Sequence, residues 1–378
     1  MIHNKKGGTK DEKRKMAMML ASAMMLTALR GSVEALAEAA SAGEEYEVTD
    51  LLGRTVTIPA ETSSYACIGP GCLRLYCYVA KEEELTGIEN MEKESGPGGR
   101  PYAMTMKNFE DLPVIGPGGP GNAPDAELLF ASEPDVIFTM YNSEPAAVDE
   151  LQEKTGIPVV ALSYGDYEVF DPAIYESMNL IGTITGNEAR AEEVVDYMQE
   201  VKEDLNTRTA EIADKPLVYM GCQSSRGSHG IESTTGNYIL FDALNIRNAA
   251  AEAGIPEYAM IDKEQILEMD PDRIVIDAGG YQILMDDYEA NPDFYNSLTA
   301  FKEGKVYMQM PYNWYYTNIE IAIADAYYIG TSVYPEAFSD VNVEEKFDEI
   351  STFFVGEGVY KEIADSYYGG YQTVKLGE

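Results

Sequence analysis

Asp125-Ala126-Glu127-Leu128-Leu129-Phe130-Ala131-Ser132-Glu133-Pro134-Asp135-Val136-Ile137 is echoed, 137 residues later, by Asp262-Lys263-Glu264-Gln265-Ile266-Leu267-Glu268-Met269-Asp270-Pro271-Asp272-Arg273-Ile274. Asp, Glu, Pro, Asp and Ile recur at the same offsets. Each copy reads as an Asp-capped helix, a Pro-Asp turn and the start of a buried strand. Strands that alternate with helices build a parallel sheet covered by helices. The copies flank a stretch with little strand signal, residues 173–213, in which Asn187 caps a long helix over 188–205. A helix of about 20 residues spans roughly 30 Å. The expected fold is therefore α/β: two Rossmann-like lobes with parallel sheets, joined by one long interdomain helix.

The rest of the chain fits this frame. Residues 46–58 alternate around a Leu52-Gly53-Arg54 turn and read as a hairpin. Strands are expected over 65–68, 135–140 and 157–162, then over 217–221, 273–277 and 306–310. Helices are expected over 72–79, 126–132 and 148–154, then over 239–244 and 318–332, with a helical tail over 343–368. The domain boundaries follow: an N-terminal lobe over 44–165, a helical connector over 170–213 and a C-terminal lobe over 216–378. Residues 1–42 read as a signal peptide. Lys5, Lys6, Lys10, Lys13, Arg14 and Lys15 precede an uncharged, mostly apolar run from Met16 to Leu29, and Ala40-Ser41-Ala42 offers a cleavage site. That run is too short to span a bilayer stably. The expectation is an exported protein, periplasmic or at the cell surface.

Composition excludes several classes of function. Lys and Arg number 27 against 65 Asp and Glu, a formal charge of -38. Such a field repels nucleic acid and anionic lipid. The only histidines are His3, in the leader, and His229, which argues against a multi-imidazole zinc site and a His-Glu-x-x-His enzyme. The cysteines, Cys67, Cys72, Cys77 and Cys222, form no C-x-x-C pair and read as buried free thiols. No G-x-S-x-G elbow or phosphate-binding loop is present, so no enzymatic activity is expected.

In parallel α/β sheets ligands bind beyond the carboxyl ends of the strands. That rule nominates Tyr141, Tyr281, Tyr312, Trp314 and Tyr315 as an aromatic wall suited to a planar or chelate ligand. Any one tyrosine reads first as core packing in a chain with 27 of them, and only the cluster as a whole points to the cleft. The Gly/Pro loops add Arg100, Tyr102 and Asn122. Arg74, Arg100 and Arg226 stand out where bases are scarce, since a guanidinium fork suits anionic oxygens. His229 follows a strand and is placed either to meet ligand or to order its own loop.

At this point the chain resembles the periplasmic-binding-protein family that serves ABC importers of ferric siderophores, haem and cobalamin. The residues that carry the resemblance are DLLGRTVTIP (50–59), DVIFTM (135–140), EQILEMDPDRIVID (264–277) and NWYYTNIEIAIADAYYIGTSVYPE (313–336). The resemblance implies capture of an iron chelate, of the ferric siderophore type, between the lobes of a monomer, without chemistry, cofactor or bound metal of its own. It also implies delivery to an ABC permease dimer, with Glu127 and Glu264 docking on permease arginines. The same fold could instead carry haem, a corrinoid or an oxyanion. Many relatives are lipoproteins with a cysteine after the leader, and no cysteine precedes Cys67 here.

Overall fold

The computed structural model describes residues 45–377 except 95, 97, 142, 143, 167, 168 and 226. The leader 1–42 and Arg226 lie outside the described residues. The strands in chain order are β1 (Glu45–Thr49), β2 (Thr55–Pro59), β3 (Tyr65–Ile68), β4 (Leu85–Gly87), β5 (Val136–Thr139) and β6 (Val159–Ala161), then β7 (Leu217–Gly221), β8 (Ser233–Thr235), β9 (Arg247–Asn248), β10 (Tyr258–Met260), β11 (Arg273–Asp277), β12 (Val306–Gln309) and β13 (Gln372–Thr373).

β1 and β2 form the expected antiparallel hairpin. The N-terminal sheet is parallel, in the order β4-β3-β5-β6. The C-terminal sheet runs β9-β7-β11-β12, also parallel, with β13 antiparallel on its edge. Ranked along the chain, both lobes thus share one strand order: second, first, third, fourth. β5 and β11, the third strands, are the ones that the repeated sequence leads into. The likeness extends to backbone detail. Asp125 and Asp262 both cap their helices, and Glu133 and Asp270, at matching positions before the prolines, both take a positive φ.

Each third strand is fully buried beyond its first residue because helices cover both faces of its sheet. Between the lobes, Pro172–Thr185 and Glu188–Thr209 pack against each other as helices. The longer, of 22 residues, is the connector that the sequence predicts. One core runs through both lobes and this connector. The helices Ile319–Val333 and Val343–Val355, expected within the C-terminal lobe, also reach across: Phe354 packs edge-on against Tyr78, and Arg190 bonds the carbonyl of Phe353. The apolar residues of Ile319–Val333 point all round, so this helix needs cover on every side, and the connector supplies part of it.

The sequence reading did not anticipate β4, β8, β9, β10 and β13. Strands of two or three residues carry no readable alternation.

Candidate functional site

In both sheets the second and third strands lie on opposite sides of the first, so each has a switch point where ligands bind in open α/β sheets. At the N-terminal switch point Gly69 ends β3 with φ of 88°, and a Cβ there would lie 2.8 Å from the backbone nitrogen of Tyr141. Only glycine permits this close crossing. At the matching place after β7, Cys222 takes a φ of 59°.

Glu89 is the hub of the N-terminal switch point. It is buried, and accepts hydrogen bonds from Gly69 N at 3.0 Å, Tyr141 Oη at 2.7 Å and Tyr315 Oη at 3.0 Å. Burial pushes its carboxyl above the usual range, against the pull of these donors. Gly119 N also donates to Tyr315 Oη, at 2.8 Å. A side chain of the C-terminal lobe is thereby held in the N-terminal lobe.

Arg74 lies on the helix Cys72–Val79 that leaves this switch point, and is 0% exposed. It donates to Asn318 Oδ1 at 2.9 Å, to the Trp314 carbonyl at 2.7 Å and to Tyr164 Oη at 3.2 Å. All three acceptors are neutral, and two belong to the C-terminal lobe. Neighbouring Tyr78 bonds Glu320 across the same seam. Burial works against the charge of the Arg74 guanidinium, but the surrounding oxygens of Tyr164, Tyr102, Tyr78 and Glu320 hold it protonated.

The turn after β12 makes the contacts from the opposite lobe. Tyr315 and Tyr316 both have positive φ, 43° and 79°, a conformation disfavoured for side chains of this size. A bridge between Asn313 and Thr317 and a bond from Trp314 N to Tyr316 O hold the turn closed. Two cavities adjoin it. One of about 650 Å³ has Asp166 on the N-terminal side and Gln223, Tyr258 and Tyr312 on the other. The second, of about 580 Å³, is lined by Gly119, Asn122 and Tyr141.

The structure thus brings together Asn122, Tyr141, Tyr312, Trp314 and Tyr315 of the residues nominated from sequence. Arg100 and Tyr102 lie deeper. Arg100 is 0% exposed, paired with buried Glu92 and stacked on Trp314, whose ring centre is 3.8 Å from the guanidinium carbon. Tyr102 Oη donates to Glu92 Oε2 at 2.8 Å. His229 bonds the Ser225 carbonyl at 2.8 Å within its own loop. Tyr281 packs against Tyr368, 4.7 Å between ring centres. Glu127 and Glu264 are exposed in the first turns of their helices. The cysteines are free thiols. Glu89 and Asn318 escaped the sequence reading: Glu89 follows a three-residue strand, and no local pattern marks it.

At the end of β11, Asp277 accepts a bond from Gly279 N at 2.7 Å, and burial lifts its carboxyl to about 7. Between pH 4 and about 7 the folded chain keeps a proton that the unfolded chain has lost. Its cost to stability is absent below that window, grows as pH rises through it and is constant above. Asp277→Asn, which keeps an acceptor for Gly279, should raise the thermal midpoint at pH 8 and change nothing at pH 4. The gain is bounded at about 4 kcal/mol. Equal gains at both pH values would sink this account.

What the site can do is hold a small solute at the seam between the lobes, among aromatic and polar side chains. Among the described residues no cluster of His, Cys, Asp and Glu could hold a metal ion, and no helix is long and apolar enough to cross a membrane. This architecture defines a two-lobed solute-binding protein. The chain belongs to the periplasmic binding protein family, whose model matches residues 105–311; the family is one of transport binding proteins. It is 20% identical to an uncharacterised ABC transporter substrate-binding lipoprotein, YvrC of Bacillus subtilis, over 77% of this chain and 87% of that protein. It is 25% identical to the ferric-anguibactin-binding protein FatB of Vibrio anguillarum, over 57% of this chain and 68% of that one. Among solved structures, a periplasmic solute-binding protein of Veillonella parvula superposes with a TM-score of 0.68 at 19% identity, covering 86% of this chain and 97% of that one. The molybdate-binding protein MolA of Haemophilus influenzae does so at 0.64 and 20%, covering 83% and 98%.

Proposed function

We propose that this chain is the exported, monomeric solute-binding subunit of an ABC importer and captures an iron chelate of the ferric siderophore type between its lobes. The observation that carries this reading is Arg74, a buried guanidinium between the lobes with only neutral acceptors bonded to it. A ligand carboxylate or phenolate would replace the Trp314 carbonyl and Asn318 Oδ1 on it, and the aromatic turn would pack against the chelate's organic frame. The name of the relative FatB agrees with such a ligand. Glu127 and Glu264, one on each lobe, would set the register of docking on a dimeric permease.

An oxyanion is the second reading. Arg74 would receive one equally well, and MolA of the same fold is described with molybdate bound.

The test uses Trp314, the single tryptophan, which lies against Arg100 beside the cleft. The leader-free chain is titrated with a panel of ferric siderophores, haem, cobalamin and molybdate while its emission is followed. Saturable quenching by a ferric chelate is expected. A response to molybdate alone moves the assignment to the oxyanion. Silence across the panel, repeated by calorimetry, removes the ligand assignment.

A further inference from the structure

Phe130 follows Glu127 by three positions and is 63% exposed; Leu267 follows Glu264 by three and is 39% exposed. Residues three apart are neighbours on a helix surface. Leu129 and Ile266, at matching positions in the two copies, are both 0% exposed and fix which face of each helix turns outward. Each lobe thus presents a carboxylate with an apolar side chain one turn away. Leu128, 41% exposed, lies on the same helix as Phe130; Met260, 56% exposed, precedes the helix on the other lobe. Among the described residues no ion pair or hydrogen bond engages either carboxylate. Exposed apolar groups rimmed by charge mark interaction surfaces.

We propose that Phe130 and Leu267 are paired apolar anchors of the permease interface, each seated in an apolar socket beside the basic residue that receives Glu127 or Glu264. This rests on the docking reading above and adds to it what holds the complex once formed. The occupant is a membrane protein that repeats its surface by two-fold symmetry, because the patch it meets is itself repeated by the internal duplication. It is cationic at both contacts: a chain of charge -38 repels a second copy of itself and anionic lipid. Exposed ion pairs add little affinity in physiological salt. Burying a phenylalanine or leucine side chain adds more and does not depend on salt. The carboxylates therefore speed encounter and fix register, and the anchors slow dissociation.

The experiment is binding of the exported chain to its ABC permease in nanodiscs, at about 0.05 M and about 0.5 M salt, which bracket weak and strong screening. Phe130→Ala and Leu267→Ala are each expected to weaken binding by about tenfold at both salts. Glu127→Ala and Glu264→Ala are expected to weaken it chiefly at low salt. All four positions are exposed, so the thermal midpoints should stay near that of the parent. If the Glu variants weaken binding and the Phe130 and Leu267 variants do not, the anchors are refuted and the docking reading stands. An effect confined to one lobe's apolar variant overturns the pairing. If all four variants bind like the parent, the docking reading falls and takes the anchors with it.

Discussion

Arg74→Met is expected to lower affinity for the captured solute by about thirtyfold or more while the chain stays folded. Removing one partner of a buried, hydrogen-bonded charge contact costs about 2–5 kcal/mol of binding, and each 1.4 kcal/mol is tenfold. Folding responds differently. The variant loses bonds to Asn318, Trp314 and Tyr164, each contributing about 1 kcal/mol net. Against that loss stands relief from desolvating a guanidinium that lacks a bonded carboxylate, an effect of several kcal/mol. The two nearly cancel, so the thermal midpoint should move little. Arg74→Lys keeps the charge without the planar fork and should fall between parent and Met variant. Calorimetric titration of whichever ferric chelate the panel identifies, with a melt of each variant, decides the matter. Affinity within about threefold of the parent would remove Arg74 as the receptor.

The lobes were legible because their evidence is local. The Pro-Asp turn, the Asp cap and the run of buried residues after it all lie within 13 residues, twice over. They led to β5 and β11, the third strand of each sheet, and the intervening Glu188–Thr209 helix was read from its cap and composition. The seam between lobes was legible only in part. Tyr141, Tyr312, Trp314 and Tyr315 follow from the rule that strand ends face the ligand. Their partners do not: Glu89 meets Tyr315 across 226 positions, and Arg74 meets Asn318 across 244. No periodicity links such residues. A long helix such as Ile319–Val333 likewise announces its burial by its composition, but not which lobe covers it.

Arg100 shows the same limit from the other side. A scarce base in a glycine-rich loop reads as a ligand contact, yet the structure pairs it with Glu92, eight residues earlier, and closes Trp314, Phe109 and Tyr102 around it. Arg100→Ala is accordingly expected to destabilise the chain by about 3–5 kcal/mol, the cost of stranding a buried charge. Burial already pushes the Glu92 carboxyl up, and Arg100 is the main opposing influence. Without it the carboxyl rises further and the folded state holds a proton that the unfolded state releases. The deficit should therefore be smallest near pH 4 and grow as pH climbs to the raised value. Glu92→Gln in the Arg100→Ala background removes the stranded charge, keeps an acceptor for Tyr102, and should recover much of the loss at pH 8. Denaturant melts of the single and double variants at pH 5 and pH 8 measure both effects. The opposite result, an Arg100→Ala chain as stable as its parent but unable to bind solute, would return Arg100 to the ligand and make Glu92 its guard in the empty protein.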